Sequence, residues 1–319
     1  MNKNKNNIDN LKFESLVNQG KESKFFAELF SEVEALCQTI GIADGQRTLV
    51  SFEQLWLPVA LNLAAKQDKY DRTYIQGILG GQGLGKTTLC KILQRILSYF
   101  GLATAILSID DLYLTYGERK ALQQQDPRLI WRGPPGTHDV ALGLEILDRC
   151  RKKKNKNTNV RILMPRFDKS AYDGAGDRLK AESISQPDIL LFEGWFVGVQ
   201  PLVEYPAIFP KPIVTPEDRE FARDNNQRLQ DYLPLWDKLD SLIVLYSEDY
   251  HLSQQWRREA EQKMIATGRS GMSDEECDRF VEYFWKALHP DLYIKPLTQT
   301  ADLVIEIKGD HTLGRIDLK

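Results

Sequence analysis

No stretch of the 319 residues supplies the ~18 consecutive apolar residues that a membrane-spanning helix requires, so a membrane protein is not expected. The opening residues Met1-Asn2-Lys3-Asn4-Lys5-Asn6-Asn7 lack the apolar core of a secretory signal, and a soluble, cytoplasmic protein is the expectation. Cysteine is sparse: Cys37, Cys90, Cys150 and Cys277 lie far apart with no C-x-x-C pair. Free structural thiols are therefore expected in place of a metal site or a disulfide framework. An excess of either charge is lacking too, since 42 basic residues face 45 acidic ones for a net charge of −3, which gives no general push toward nucleic acid. The one basic run, Arg149 to Lys156, reads as a solvated helix end and loop, with a polyanion contact as its rival. No internal repeat is visible, and nothing in the residues specifies an oligomeric state.

What is present is a full G-x-x-x-x-G-K-[ST] phosphate-binding loop, Gly80-Gly81-Gln82-Gly83-Leu84-Gly85-Lys86-Thr87-Thr88, directly after the apolar run Tyr74 to Leu79. The residues from Thr88 to Leu97 have helical apolar periodicity, so strand, loop and helix appear in the order the motif needs. Glycines allow positive φ and let the backbone close around phosphates, so that successive N–H groups and the helix N-terminus point at the anion. Lys86 brings a point charge to the β- and γ-phosphates, and the Thr87 hydroxyl is placed to ligate Mg²⁺. A nucleoside triphosphate is the expected ligand.

Around this loop, Phe25 to about Lys69 spaces its apolar residues at three- and four-residue steps, as helices packed on a core would, after ten Asn- and Lys-rich residues expected to be disordered. Short aliphatic runs then alternate with helical patterns: Ile75–Leu79, Thr104–Ile109, Val160–Met164, Ile189–Phe192, Leu242–Tyr246 and Leu303–Ile307. That order predicts right-handed crossovers and a mainly parallel sheet covered on both faces. The segment between Asp110 and Val160 reads as an insertion over the sheet's carboxyl edge, where ligands of such folds bind. The expected division is a tail and helical extension over 1–70 and a phosphate-loop domain over 71–319.

Four further places carry chemistry. Asp110 and Asp111 end the second strand; a carboxylate there can take a proton from an attacking hydroxyl or hold a metal-bound water, with helix capping as the alternative, more so for Asp111. Glu193 and Gly194 end another apolar run, the form of an acid that positions a metal ion, with capping again the alternative. The loop from Pro165 to Arg178 is dense in both charges. In it Arg166, Lys169 and Arg178 offer cations to an anionic substrate, unless they only balance the loop's own acids. Finally Trp256-Arg257-Arg258 opens a charged helix that runs into a Gly268–Gly271 hinge and a second helix begun by a Ser273–Glu276 capping box. This pattern, about 251–290, fits either a closing lid whose Arg257 or Arg258 reaches the transferring phosphoryl group or an ordinary solvated helix pair.

Together these stretches resemble the plant-type D-glycerate 3-kinases and their relatives, P-loop kinases related to pantothenate and uridine kinases. The likeness is carried by Ser108 to Thr115, Arg132-Gly133-Pro134-Pro135-Gly136-Thr137-His138-Asp139, Pro165 to Tyr172, Leu191 to Trp195, Trp236-Asp237-Lys238 and Gly271 to Glu276. It implies an α/β three-layer P-loop fold with a mainly parallel sheet, a helical lid and extra N-terminal helices. It also implies ATP and Mg²⁺, and a small hydroxy acid as the partner, with D-glycerate converted to 3-phosphoglycerate. On that resemblance Asp110 falls on the base position and Glu193 on the metal-linked acid, while His138 and Asp168 join Arg166, Lys169 and Arg178 at the substrate. Two departures stand out. The Pro134-Pro135-Gly136-Thr137 form is closer to uncharacterised kinase-like relatives, and the first ~70 residues have no counterpart. Two other readings stay open: another small alcohol, such as pantothenate or a nucleoside, and an ATP-binding regulatory protein that phosphorylates nothing.

Overall fold

The computed structural model describes residues 24–154, 160–266, 268 and 271–319. The ten amino-terminal residues, Asn155 and Lys156 of the basic run, and Arg269 and Ser270 of the expected hinge lie outside the described residues.

Helix α1 (Lys24–Thr39) buries Phe26, Leu29, Val33 and Cys37, a three-then-four spacing that makes one apolar stripe. Asp44 caps α2 (Gly45–Ser51), which passes through a π-helical turn, Phe52–Trp56, into α3 (Leu57–Gln67). The wholly buried β1 (Tyr74–Gly80) leads into the phosphate loop and α4 (Lys86–Tyr99). Strand β2 (Thr104–Ser108) ends in a tight 3₁₀ turn, Ile109–Leu112, ahead of α5 (Tyr116–Gln125) and α6 (Val140–Arg151). Four short strands follow, β3 (Arg161–Met164), β4 (Phe167–Asp168), β5 (Asp177–Arg178) and β6 (Glu182–Ser185). The chain then returns to the core through β7 (Ile189–Gly194), α7 (Pro216–Arg228), α8 (Leu233–Trp236) and β8 (Ser241–Tyr246). Helices α9 (Leu252–Ala266), α10 (Asp274–Ala287) and α11 (Pro290–Tyr293) precede β9 (Leu303–Ile307) and β10 (Leu313–Leu318). The Ser273–Glu276 capping box does open α10.

The main sheet runs β10-β9-β8-β1-β7-β2, parallel throughout except for β10, which pairs antiparallel with β9. Alternate β1 residues face opposite layers. Ile78 packs with α1, α3 and α4, whereas Ile75 and Leu79 pack with α6, α8 and the chain after β7. This is the expected three-layer α/β fold, and the N-terminal helices share one apolar cluster with the helix after the phosphate loop.

Two elements differ from expectation. Val160–Met164 is not a strand of the parallel sheet: β3 pairs antiparallel with β6 in a separate ribbon. Its burial explains why, since Ile162 and Met164 are buried while Arg161 and Leu163 face out, the alternation of a one-sided ribbon and not the continuous burial of a central strand. Strand β10 was not expected. Leu313-Gly314-Arg315-Ile316-Asp317-Leu318 mixes glycine and charge, as a half-covered edge permits.

Candidate active site

The phosphate loop and the carboxyl ends of β1, β7 and β2 converge. Gly83 (φ 80°) and Gly85 (φ 82°) are left-handed, and a Cβ on Gly83 would lie 2.6 Å from Cβ of Trp256 on α9. A Gly83→Ala variant is therefore expected to lose ATP affinity by about tenfold or more, because left-handed strain and the clash add. Calorimetric titration with ATP checks this; unchanged affinity would mean that Gly83 does not set the loop's shape.

Lys86 opens α4, and its Nζ donates to the Gly81 carbonyl at 2.9 Å. Burial pushes the ammonium's pKa down, against the pull of the Glu193 and Asp110 carboxylates. The exposed Thr87 donates its hydroxyl to Oε1 of the buried Glu193 at 3.1 Å. Within the loop, Oε1 of Gln82 is buried without a hydrogen-bond partner.

At the end of β2 the two aspartates part ways. Asp110 accepts the Tyr113 hydroxyl at 2.7 Å and the Lys169 ammonium at 2.6 Å. Burial would raise its pKa, but Lys169 and Tyr113 outweigh burial and hold the carboxyl below its ordinary range. Asp111 turns inward, accepts the Ser108 N–H at 3.2 Å and closes a capping box on the 3₁₀ turn. Burial, helped by the charge of Asp110, raises its pKa. The turn that leaves the Asp110 carboxylate to Tyr113 and Lys169 thus spends Asp111 on the backbone.

Lys86, Thr87, Glu193, Asp110 and Lys169 are brought together. The other expected residues are near but engaged. Arg166 donates to Glu182 at 2.8 Å and to Asp111 at 3.3 Å, and Arg178 to Asp139 at 3.0 Å and the Tyr113 carbonyl at 2.7 Å. Asp168 accepts the N–H and hydroxyl of Ser170 at 2.8 and 2.6 Å. His138 is buried, stacked on Tyr113 with ring centroids 4.6 Å apart, and its Nδ1 meets the Tyr232 hydroxyl at 2.8 Å. Burial pushes its pKa down to about 3, so the ring is neutral at physiological pH.

Arg257 and Arg258, expected to reach the phosphoryl group from a lid, lie away from it in this structure. Arg257 pairs with Glu261 and lies over the Phe280 ring, and Arg258 pairs with Asp278 at 3.4 Å, so in this structure both are engaged between α9 and α10 and not at the phosphate loop. Helix α9 touches the loop through Trp256, whose Nε1 donates to the Gly309 carbonyl at 3.1 Å. Sequence reasoning missed Trp256 and also Tyr113. For Tyr113 a signal existed, because an i to i+3 spacing puts Asp110 and Tyr113 on one side of a 3₁₀ turn.

A phosphate loop, a buried acid on the neighbouring strand and a second acid two strands away define a P-loop phosphotransferase. No protein-family model matches the chain. Over 249 residues it is 34% identical to the chloroplastic D-glycerate 3-kinase of Arabidopsis thaliana, covering 74% of this chain but only 52% of the plant protein, about half its length. It is 32% identical over 241 residues to the uncharacterised kinase mug58 of Schizosaccharomyces pombe, covering 70% of this chain and 83% of that one. The solved structure of a D-glycerate 3-kinase from Cryptococcus neoformans superposes with a TM-score of 0.67 at 25% identity, over 82% of this chain and 96% of that one. The chain belongs to this family of P-loop kinases.

Proposed function

We propose that the protein transfers the γ-phosphoryl group of ATP to a hydroxyl of D-glycerate, giving 3-phosphoglycerate. The observation that carries this is Asp110, held ionised at the mouth of the phosphate loop between Tyr113 and Lys169. In this reading Asp110 accepts the proton of the attacking hydroxyl, and Lys86 and Lys169 offset the charge that develops on the phosphoryl oxygens. Thr87 and Glu193, adjacent hard oxygen donors, fit Mg²⁺, which when bound would supply charge neutralisation between the phosphates. Arg166 and Arg178, already paired with carboxylates, hold the turn and the acceptor loop in shape. His138 supports the Tyr113 ring from behind.

Another alcohol, such as pantothenate or a nucleoside, is a second reading, favoured by Arg166, Lys169 and Arg178, which are already paired with carboxylates of the chain. ADP release, coupled to a reporter and measured across glycerate, other hydroxy acids, pantothenate and nucleosides, decides between them. Turnover of pantothenate or a nucleoside with none on glycerate would overturn the first reading.

The base assignment carries a pH prediction. A depressed folded pKa keeps Asp110 ionised as pH falls, so kcat/KM for the acceptor should hold until pH drops below the ordinary carboxylate range, about 4. In Lys169→Met burial acts with less opposition, and the acid limb should move upward. A wild-type limb near neutrality would remove Asp110 from the role.

A further inference from the structure

The cations around the acceptor side differ in what they already hold. Arg166, Arg178 and Lys169 each face a carboxylate. Arg119 is filled by backbone, donating to the carbonyls of Leu114, Ala175 and Gly176. Arg132 is left partly open. Its Nη1 donates to the carbonyls of Gly174 at 2.6 Å and Ala175 at 3.0 Å, and among the described residues neither Nε nor Nη2 has a hydrogen-bond partner and no carboxylate pairs with it.

We propose that Arg132 holds the carboxylate of the acceptor and so sets the preference for an acid, an inference that rests on the hydroxy-acid reading above. Its guanidinium lies 5.9 Å from the centroid of the Tyr113 ring and 5.4 Å from that of Phe167, an aromatic platform suited to a planar cation. The hydroxyl of that same tyrosine donates to Asp110 at 2.7 Å. One buried tyrosine, packed between His138 and Phe167, thus contacts both the base and the open guanidinium, and a small hydroxy acid that reaches Asp110 with its hydroxyl has Arg132 as the cation left for its carboxylate. Arg119 lies over the same Phe167 ring, 5.2 Å from its centroid, and the two guanidinium charges oppose each other. An anion at Arg132 relieves that repulsion. The backbone there is pinned: Gly133 (φ 132°) has no room for a Cβ beside Phe284, its carbonyl accepts Trp195 Nε1 at 3.2 Å, and its N–H donates to Thr137 Oγ1 at 3.1 Å. An arginine so anchored presents a preorganised fork to a carboxylate.

The test is steady-state kinetics on Arg132→Gln and Arg132→Lys, with ATP affinity measured by calorimetry and folding by thermal melting. Loss of a charge-assisted, two-pronged contact predicts a KM for glycerate raised about 10- to 100-fold in Arg132→Gln, an intermediate rise in Arg132→Lys, and unchanged ATP affinity. Glycerol, which has no carboxylate, should be a poor acceptor for the wild type and lose no more in either variant. An unchanged KM for glycerate overturns the inference, as does an equal loss of ATP affinity, which would assign Arg132 to the phosphates. A melting temperature lowered in both variants, with glycerate and glycerol affected alike, also overturns it, in favour of a clamp on the Gly174–Ala175 turn. Failure of the wild type to phosphorylate any hydroxy acid would overturn the reading beneath it as well; failure confined to the Arg132 variants leaves that reading standing.

Discussion

Lys86→Ala should lower kcat by about 10³-fold or more while leaving the fold intact. Phosphoryl transfer asks the protein chiefly to position charge, and removal of one preorganised donor from such a site costs on the order of 10²–10³ in rate even where the donor is a neutral amide. Lys86 is a full cation at the N-terminus of α4, and the Gly81 carbonyl holds it where the phosphates pass. Its removal should not unfold the chain. Without nucleotide the ammonium is a desolvated charge whose pKa burial depresses, so alanine removes a cost as well as a contact. Turnover measured beside a circular-dichroism melt checks both halves. Near wild-type turnover in a folded Lys86→Ala protein would end the kinase reading.

Asp110→Asn should lower kcat by at least ~10²-fold with little change in ATP affinity, the usual contribution of a positioned general base. Asparagine keeps the size and a hydrogen bond from Tyr113 but cannot take the proton, and it leaves Lys169 without its 2.6 Å partner. Asp111→Asn is the control. Asp111 serves the Ser108 cap and Arg166, so its loss should cost stability more than rate. If Asp111→Asn proves the more damaging to kcat, the base has been assigned to the wrong carboxylate.

What could be read from the sequence was local or periodic. The phosphate loop, its flanking strand and helix, and the acids ending β2 and β7 are each announced by a handful of consecutive residues. Partners drawn from distant chain were not readable. Arg166 looked free because Glu182 lies sixteen residues on and reaches it only through the antiparallel register that sets Met164 opposite Glu182. Arg132 was passed over because its partners are backbone carbonyls and ring faces, which leave no mark in composition. The pairing of Arg257 with Glu261, at i and i+4, is of another kind, since the helical pattern already offered it.

Helices α1 to α3 share one apolar cluster with α4, the helix whose first turn carries Lys86 and Thr87. Their stability is therefore linked thermodynamically to occupancy of the loop. A ligand that binds only the folded loop adds RT ln(1 + [L]/Kd) to the free energy of every opening that must first break that loop. Hydrogen exchange in a segment with no part in the chemistry, from Phe26 to Leu63, would then slow as nucleotide is added, and the N-terminal helices would respond to the filling of a site they do not touch.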